Sequence, residues 1–164
     1  MSRILAGYIA KRLNYATDSA ALPYLIPREC VLRVSKETGY EPDVIVLEKS
    51  ALAAEPLWEK SSTVASGVAV KLAVEVVSTN WQDDYELKLA ADESMQIPEY
   101  WIVDCAGLGG VRHIGRPKRL TLTVCTLIEG EYEVTRLRDQ EQIVSTAFPE
   151  LTLMAETFLS HTSA

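Results

Sequence analysis

No apolar run in the 164-residue sequence approaches the roughly 18 residues of a membrane-spanning helix. The opening MSRILAGYIAKRLN breaks its apolar residues with Lys11 and Arg12, so the expectation is neither a signal peptide nor an anchor. Cysteine is sparse: Cys30, Cys105 and Cys125 stand far apart, without a CxxC pair or the density of a secreted disulfide scaffold. Reduced, inert thiols in a cytoplasmic protein are expected. No G-x-S-x-G occurs, which excludes a serine-hydrolase elbow. The glycines of GLGG, Gly107 to Gly110, follow a strand-like segment but open no expected helix, which argues against a phosphate loop. His113, in VRHIG, has no cysteine or second histidine nearby, which argues against a zinc site. Repeats and low-complexity tracts are absent. Basic residues are outnumbered, sixteen against twenty-three acidic ones, for a net charge of −7. That balance counts against a broad nucleic-acid surface, because phosphate binding needs clustered Lys and Arg. It leaves room for a basic groove, or for bound divalent cations that add positive charge locally.

What is present is an ordinary globular composition, 48% hydrophobic and 24% charged, in a chain of the length of one domain, residues 1–164. Ser2 to about Ala16 has apolar residues at near-helical spacing and predicts an amphipathic helix. Short strands are expected near Pro23 to Ile26 and Cys30 to Ser35, then a turn at KETGY (Lys36 to Tyr40) with Gly39 as its permissive residue. Asp43 opens a strand through Leu47. A connector follows from Ala51 to Gly67, with a short helix around Ala54 to Lys60 and a Ser-rich end, SSTVASG, expected to be mobile. Lys71 to Ser78 reads as a buried strand. Thr79 and Gln82 fit a capping box for a helix reaching about Met95, and Pro98 disfavours its continuation. YWIVD (Tyr100 to Asp104) is continuous and apolar, as in a strand covered on both faces. Segments from Arg119 and from Glu131 form a hairpin about Gly130, and FPELTLMAETFL closes the chain with a short strand or helix. A strand-helix-strand unit over Lys71 to Asp104 requires a right-handed parallel crossover. The fold class is α/β, a mixed sheet flanked by helices.

One residue is out of place. In LAVEVVSTN, Leu72 to Asn80, Glu75 puts a carboxylate in the middle of the buried strand, where an unpaired charge costs several kcal/mol or more. A rise of about 3.3 Å per strand residue and 1.5 Å per helical residue brings Lys88, on the returning helix, to the level of Glu75. Whether they meet depends on which face of the sheet the helix covers. Asp43 opens a strand expected to neighbour that of Glu75. Two carboxylates and an ammonium at one point would form a hard oxygen site for Mg²⁺ or Mn²⁺; the alternative is a structural Glu75–Lys88 ion pair, with Asp43 capping a turn. Asp84 and Lys88 form an i,i+4 acid–base pair in the favourable order.

PDVIVLE at Pro42, VEVVS at Val74, the Asp84/Lys88 D-x-x-x-K pair, PEYWIVD at Pro98 and SxxFPEL at Ser145 together resemble the restriction-endonuclease-like family abundant in cyanobacteria, within the PD-(D/E)xK nuclease superfamily. The likeness runs from about Ser2 to Phe158. It implies a restriction-endonuclease-like mixed-sheet core and a metal-dependent phosphodiester hydrolase. Asp43 and Glu75 would then hold Mg²⁺ or Mn²⁺, with the backbone carbonyl of Val76 as a further ligand. The superfamily's lysine stands two residues after the acid, where this chain has Val77; the resemblance moves that role to Lys88, held in place by Asp84. DNA as substrate and a homodimer are implied in the same way; a cytoplasmic location without membrane contact is the expectation from the cysteine usage and the apolar runs read above. Relatives usually carry an extension before the first helix, and this chain starts at the helix. Asp92 stands where an aromatic is usual, and Gln96 where a glycine is usual. A second reading is a catalytically silent relative serving as an interaction or dimerisation module; a third is a hydrolase of another phosphate compound.

Overall fold

In the computed structural model, which describes residues 2–161, the helical periodicity of the first segment produces α1 (Ser2–Ser19), with Leu5, Ile9 and Leu13 fully buried. Strands β1 (Tyr24–Leu25), β2 (Val31–Arg33), β3 (Gly39–Tyr40) and β4 (Val44–Glu48) follow. A 3₁₀ turn over Lys49–Ala54, the short α2 (Trp58–Ser61), β5 (Thr63–Val64) and a second 3₁₀ turn lead into β6 (Val70–Val76). A helix begins at Trp81, widens into a π turn over Asp83–Leu87 and continues as α3 (Lys88–Ser94). Then come β7 (Glu99–Asp104), α4 (Val111–Ile114), the hairpin of β8 (Thr121–Ile128) and β9 (Glu131–Leu137), and α5 (Ala155–Leu159).

Six strands form one sheet in the order β1-β4-β6-β7-β8-β9, in which only β6 and β7 run parallel, as the crossover requires. Alternation divides the side chains of the central strands. Val74, Val76, Trp101 and Val103 pack with α1 and α5, whereas Ala73, Val77, Tyr100 and Ile102 pack with Tyr85 and Ile114 on the other face. A three-stranded sheet, β3-β2-β5, closes a further cluster around Leu32, Leu47 and Ile97. The chain thus has a restriction-endonuclease-like mixed α/β architecture. No helix among the described residues is long and apolar enough to cross a membrane.

Four local expectations are corrected. SSTVASG is fixed: Thr63 and Val64 are buried and pair with β2, while the buried Glu55 carboxylate accepts the N–H groups of Ala65 and Ser66 at 3.0 Å each. KETGY ends in a strand. Gly39 lies opposite Arg33, and a Cβ there would come within 3.2 Å of the Leu32 carbonyl, so the glycine permits close cross-strand approach. Thr79 makes no capping bond among the described residues; the chain turns instead through Asn80, whose carbonyl accepts from Asp83 N–H. GLGG does precede a helix, the four-residue α4. Gly109 and Gly110 serve packing, since a Cβ on Gly109 would meet Tyr85 at 2.9 Å and one on Gly110 would meet Trp81 at 2.8 Å.

Glu99 ties the PEYWIVD and SxxFPEL segments together. Fully buried at the start of β7, its carboxylate accepts from Trp101 Nε1, Ser145 Oγ, Thr146 N–H, Thr146 Oγ1 and Ala147 N–H, all within 2.5–3.0 Å. Glu99→Ala strands those donors in the core and should cost about 3 kcal/mol or more of unfolding free energy. Gly67 abuts the carbonyl of Met95, so Gly67→Ala should cost about 1–3 kcal/mol, whereas Gly7→Ala, facing open space on α1, should gain about 0.5–1 kcal/mol. Urea unfolding of the three variants checks all three signs.

Candidate functional site

Six carboxylates are buried among the described residues: Glu55, Glu75, Asp84, Asp92, Glu99 and Asp104. Three are held by backbone N–H groups. Glu55 and Glu99 are described above, and Asp104 accepts from Leu108 N–H and Gly109 N–H, both at 2.8 Å. Such carboxylates are satisfied and need nothing further. The other three, Glu75, Asp84 and Asp92, accept no backbone N–H: Glu75 and Asp84 accept from Lys88, on the helix that crosses from β6 to β7, and Asp92 accepts from the Tyr40 hydroxyl.

The helix covers the face to which Glu75 points. Lys88 Nζ donates to Glu75 Oε1 at 3.1 Å and to Asp84 Oδ1 at 3.2 Å, so the level match anticipated from strand and helix rise becomes a contact. The π turn lies within this contact: Lys88 N–H reaches back five residues to the Asp83 carbonyl, and the Tyr100 hydroxyl donates to the Asp84 carbonyl at 2.7 Å, fastening the wide turn to β7. Wide turns of this kind are frequent at functional sites. Tyr40 completes the surround. Its ring centroid lies 5.4 Å from Lys88 Nζ, and its hydroxyl donates to Asp92 Oδ1.

Asp43 stands one residue before β4, where the ladder to β6 ends at Val44–Val74. Its Oδ2 accepts Val76 N–H at 2.7 Å and carries the pairing one step further. The N–H and C=O of one strand residue point to the same side, so the Val76 carbonyl is directed toward the Asp43 edge. Asp43, Glu75, Val76, Asp84 and Lys88 line one small polar hollow of about 160 Å³. Glu41, Ser78, Asn80 and Asp83 line it too, and reading the sequence missed them. Glu41 and Asp43 are two apart in an extended run, a period-2 signal that points both to one side. Ser78 and Asn80 carry no such signal.

Burial pushes Glu75 up to about 8, against the pull of Lys88, with Asp43 and Asp84 adding to the rise. Asp84 is raised for the same first reason. Burial draws Lys88 down, but Glu75 and Asp84 more than reverse this and hold its ammonium above the ordinary lysine value. Burial alone lifts Asp92 to about 8. Glu75 Oε2 and Asp92 Oδ2 are buried without a hydrogen-bond partner. The pair with Lys88 therefore satisfies half of Glu75.

Among the described residues no three His, Cys, Asp or Glu side chains are grouped closely enough to form a ready-made metal site. The donor types nevertheless suit a hard divalent cation: Asp43, Glu75 and Val76 line the same hollow and offer two carboxylates and a backbone carbonyl, and Glu75 keeps Oε2 without a partner. His113 lies elsewhere. Its ring stacks on Tyr85 at 4.6 Å between centroids and faces Glu86 at 3.7 Å, and burial lowers its pKa.

A family model described as Uma2, putative restriction endonuclease, matches residues 2–156 of the chain. No curated protein matches it.

The raised Asp92 carboxyl makes stability depend on pH. The folded chain keeps a proton there that the unfolded chain releases above 3.8, so this contribution is present below that value and is lost as pH rises to about 8. Asp92→Asn removes this contribution and leaves those of Glu75 and Asp84. Denaturation of both proteins from pH 4 to 9 should show the variant gaining on the wild type by at most about 1.4 kcal/mol per pH unit up to about pH 8, and no further.

Proposed function

Since the chain belongs to the Uma2 family, whose model spans residues 2–156, we propose that it is a divalent-metal-dependent endonuclease that hydrolyses phosphodiester bonds of DNA at the hollow formed by Asp43, Glu75 and Lys88. The observation that carries this reading is the incomplete satisfaction of Glu75. A carboxylate placed only to staple the sheet to its helix would be surrounded by donors, as Glu99 is; Glu75 keeps one buried oxygen without a partner, on a hollow that Asp43 also lines.

Mg²⁺ or Mn²⁺ held by Asp43, Glu75 and the Val76 carbonyl would supply Lewis acidity toward the scissile phosphate and the attacking water. The chain's own groups do the rest. Lys88, positively charged and tethered by Asp84, lies beside the reacting centre, where it orients water and offsets charge developing on phosphorus-bound oxygens. Asp84 fixes the lysine's direction through the i,i+4 contact, and the Tyr40 ring bounds the ammonium. Glu75, raised by burial, must give up its proton before it can act as an anionic ligand, so cation binding should release protons below about pH 8. In a homodimer, two such sites about a two-fold axis would suit a cut in both strands.

The second reading, a silent member acting as an interaction or dimerisation module, is favoured by the Glu75–Lys88 ion pair, a structural contact in its own right. Calorimetric titration of Mn²⁺, with plasmid cleavage on the same samples, separates the two. The endonuclease reading expects binding to the wild type and loss of both binding and cleavage in a folded Glu75→Ala variant. Lys88→Ala should keep most of the Mn²⁺ affinity and lose about a hundredfold or more in cleavage rate. Absence of Mn²⁺ binding to the wild type would make Glu75 a structural charge, and unchanged affinity in Glu75→Ala would remove it from the site.

A further inference from the structure

The candidate site cannot attract a polyanion by itself. Glu41, Asp43, Glu75, Asp83 and Asp84 line the hollow against the one ammonium of Lys88. The positive charge lies on the connection between β7 and β8. From Cys105 to Ile128 the chain has four of its sixteen basic residues, Arg112, Arg116, Lys118 and Arg119, and none of its twenty-three acidic ones. All four are exposed.

This connection is a built part of the site's end of the sheet. Because β6 and β7 are parallel, the chain leaves both at the same end: β6 toward Ser78 and Asn80 on the hollow, β7 toward the basic connection. Asp104 grips its first turn through Leu108 and Gly109. Gly110 lies against the Trp81 ring and His113 stacks on Tyr85, so the connection is docked on the helix that carries Asp84 and Lys88. From below, the Arg136 and Arg138 guanidiniums of β9 and its end donate to the carbonyls of Arg112 and Ile114, closing the last turn of α4. Two strand spacings of about 4.8 Å separate the β4/β6 edge from the β7/β8 connection, roughly the rise of three base-pair steps at 3.4 Å.

We propose that Arg112, Arg116, Lys118 and Arg119 form a docking strip for the phosphate backbone of double-stranded DNA, holding a duplex so that it runs past the Asp43–Glu75 hollow. The choice of DNA as the polyanion rests on the endonuclease reading. Contacts of this kind position the duplex without reading its sequence, and they bind without the catalytic cation. Asp139 and Glu156 share a hollow with Lys118 and Arg119, so Arg112 and Arg116 carry the larger part.

The test is fluorescence anisotropy of a labelled 30-base-pair DNA duplex in EDTA over a series of salt concentrations. It compares the wild type, a variant with Arg112, Arg116, Lys118 and Arg119 all changed to Gln, and a control with the exposed Arg3, Lys11, Lys36 and Lys60 changed to Gln. The strip variant should lose at least about tenfold in affinity at 0.1 M salt, and its slope of log K against log[salt] should shrink by up to about 0.9 per charge removed. The control should stay near the wild type, and Mn²⁺ titration of the strip variant should be unaltered. Two double variants, Arg112→Gln with Arg116→Gln and Lys118→Gln with Arg119→Gln, split the substitution if the quadruple one does not fold. Equal affinity and slope in wild type and strip variant, equal losses in strip and control variants, or no salt-dependent binding by the wild type would each overturn the proposal. Strip-dependent binding by a wild type that takes up no Mn²⁺ would uphold the strip and overturn the endonuclease reading. Metal-dependent cleavage with strip-independent binding would do the reverse.

Discussion

A carboxylate removed from water has to be given hydrogen bonds or a counter-charge, and much of this fold is arranged around that demand. Glu99 meets it with five donors, four of them from Ser145 to Ala147, and so fixes the last part of the chain to the centre of the sheet. Asp104 meets it with the turn that leaves β7, and Glu55 with the backbone that enters β5 and the turn after it. In each case the acid organises a loop that would otherwise have little to hold it. Glu75 and Asp92 are the exceptions: each is buried as deeply but faces a side chain, and each leaves one oxygen without a hydrogen-bond partner, Glu75 beside the Asp43 hollow.

That difference connects the fold to its proposed chemistry. An acid stabilised by backbone amides is committed to them, because breaking such bonds costs the surrounding loop its order. An acid that shares a lysine with Asp84 and leaves one oxygen unpartnered can exchange its proton for a cation without unfolding anything. In the proposed mechanism the lysine then has two roles that do not conflict, a hydrogen-bond donor to both acids before the cation arrives and a neighbour of the phosphate afterwards. The same end of the sheet carries an acidic hollow and a basic connection, so the proposed docking strip and the proposed reactive centre are separated by about two strands.

Legibility followed the range of the interaction involved. α1, the crossover and the β8–β9 hairpin were readable because periodicity, Pro98 and Gly130 act within a few residues. Glu75 stood out because one charge interrupts an apolar strand, and strand and helix rise sufficed to bring Lys88 to its level. The face covered by the helix was not readable, since both faces of the strand are apolar. Asp43's bond to Val76 depends on where β4 stops pairing, and Tyr40's place over Lys88 depends on the small second sheet; both are long-range matters. SSTVASG looked mobile by composition because its anchor, Glu55, is remote in pattern though near in space. The acid-free run from Cys105 to Ile128 was legible in principle, but the net charge of the whole chain obscured it.

The π turn over Asp83–Leu87 has an implication for how this sequence tolerates changes of length. A wide turn is a helix with one residue more than the regular ladder accommodates, so the segment before it and the segment after it are out of phase by one position. Deleting a single residue there would restore a regular helix and swing everything downstream by about 100° relative to Trp81 and Asp83. Either Lys88 would leave Glu75 or the aromatic contacts to the β7–β8 connection would break. The spacing between the two halves of the proposed site is therefore encoded in residue number as much as in residue type, and indels in this helix should be far less tolerated than substitutions on its exposed side.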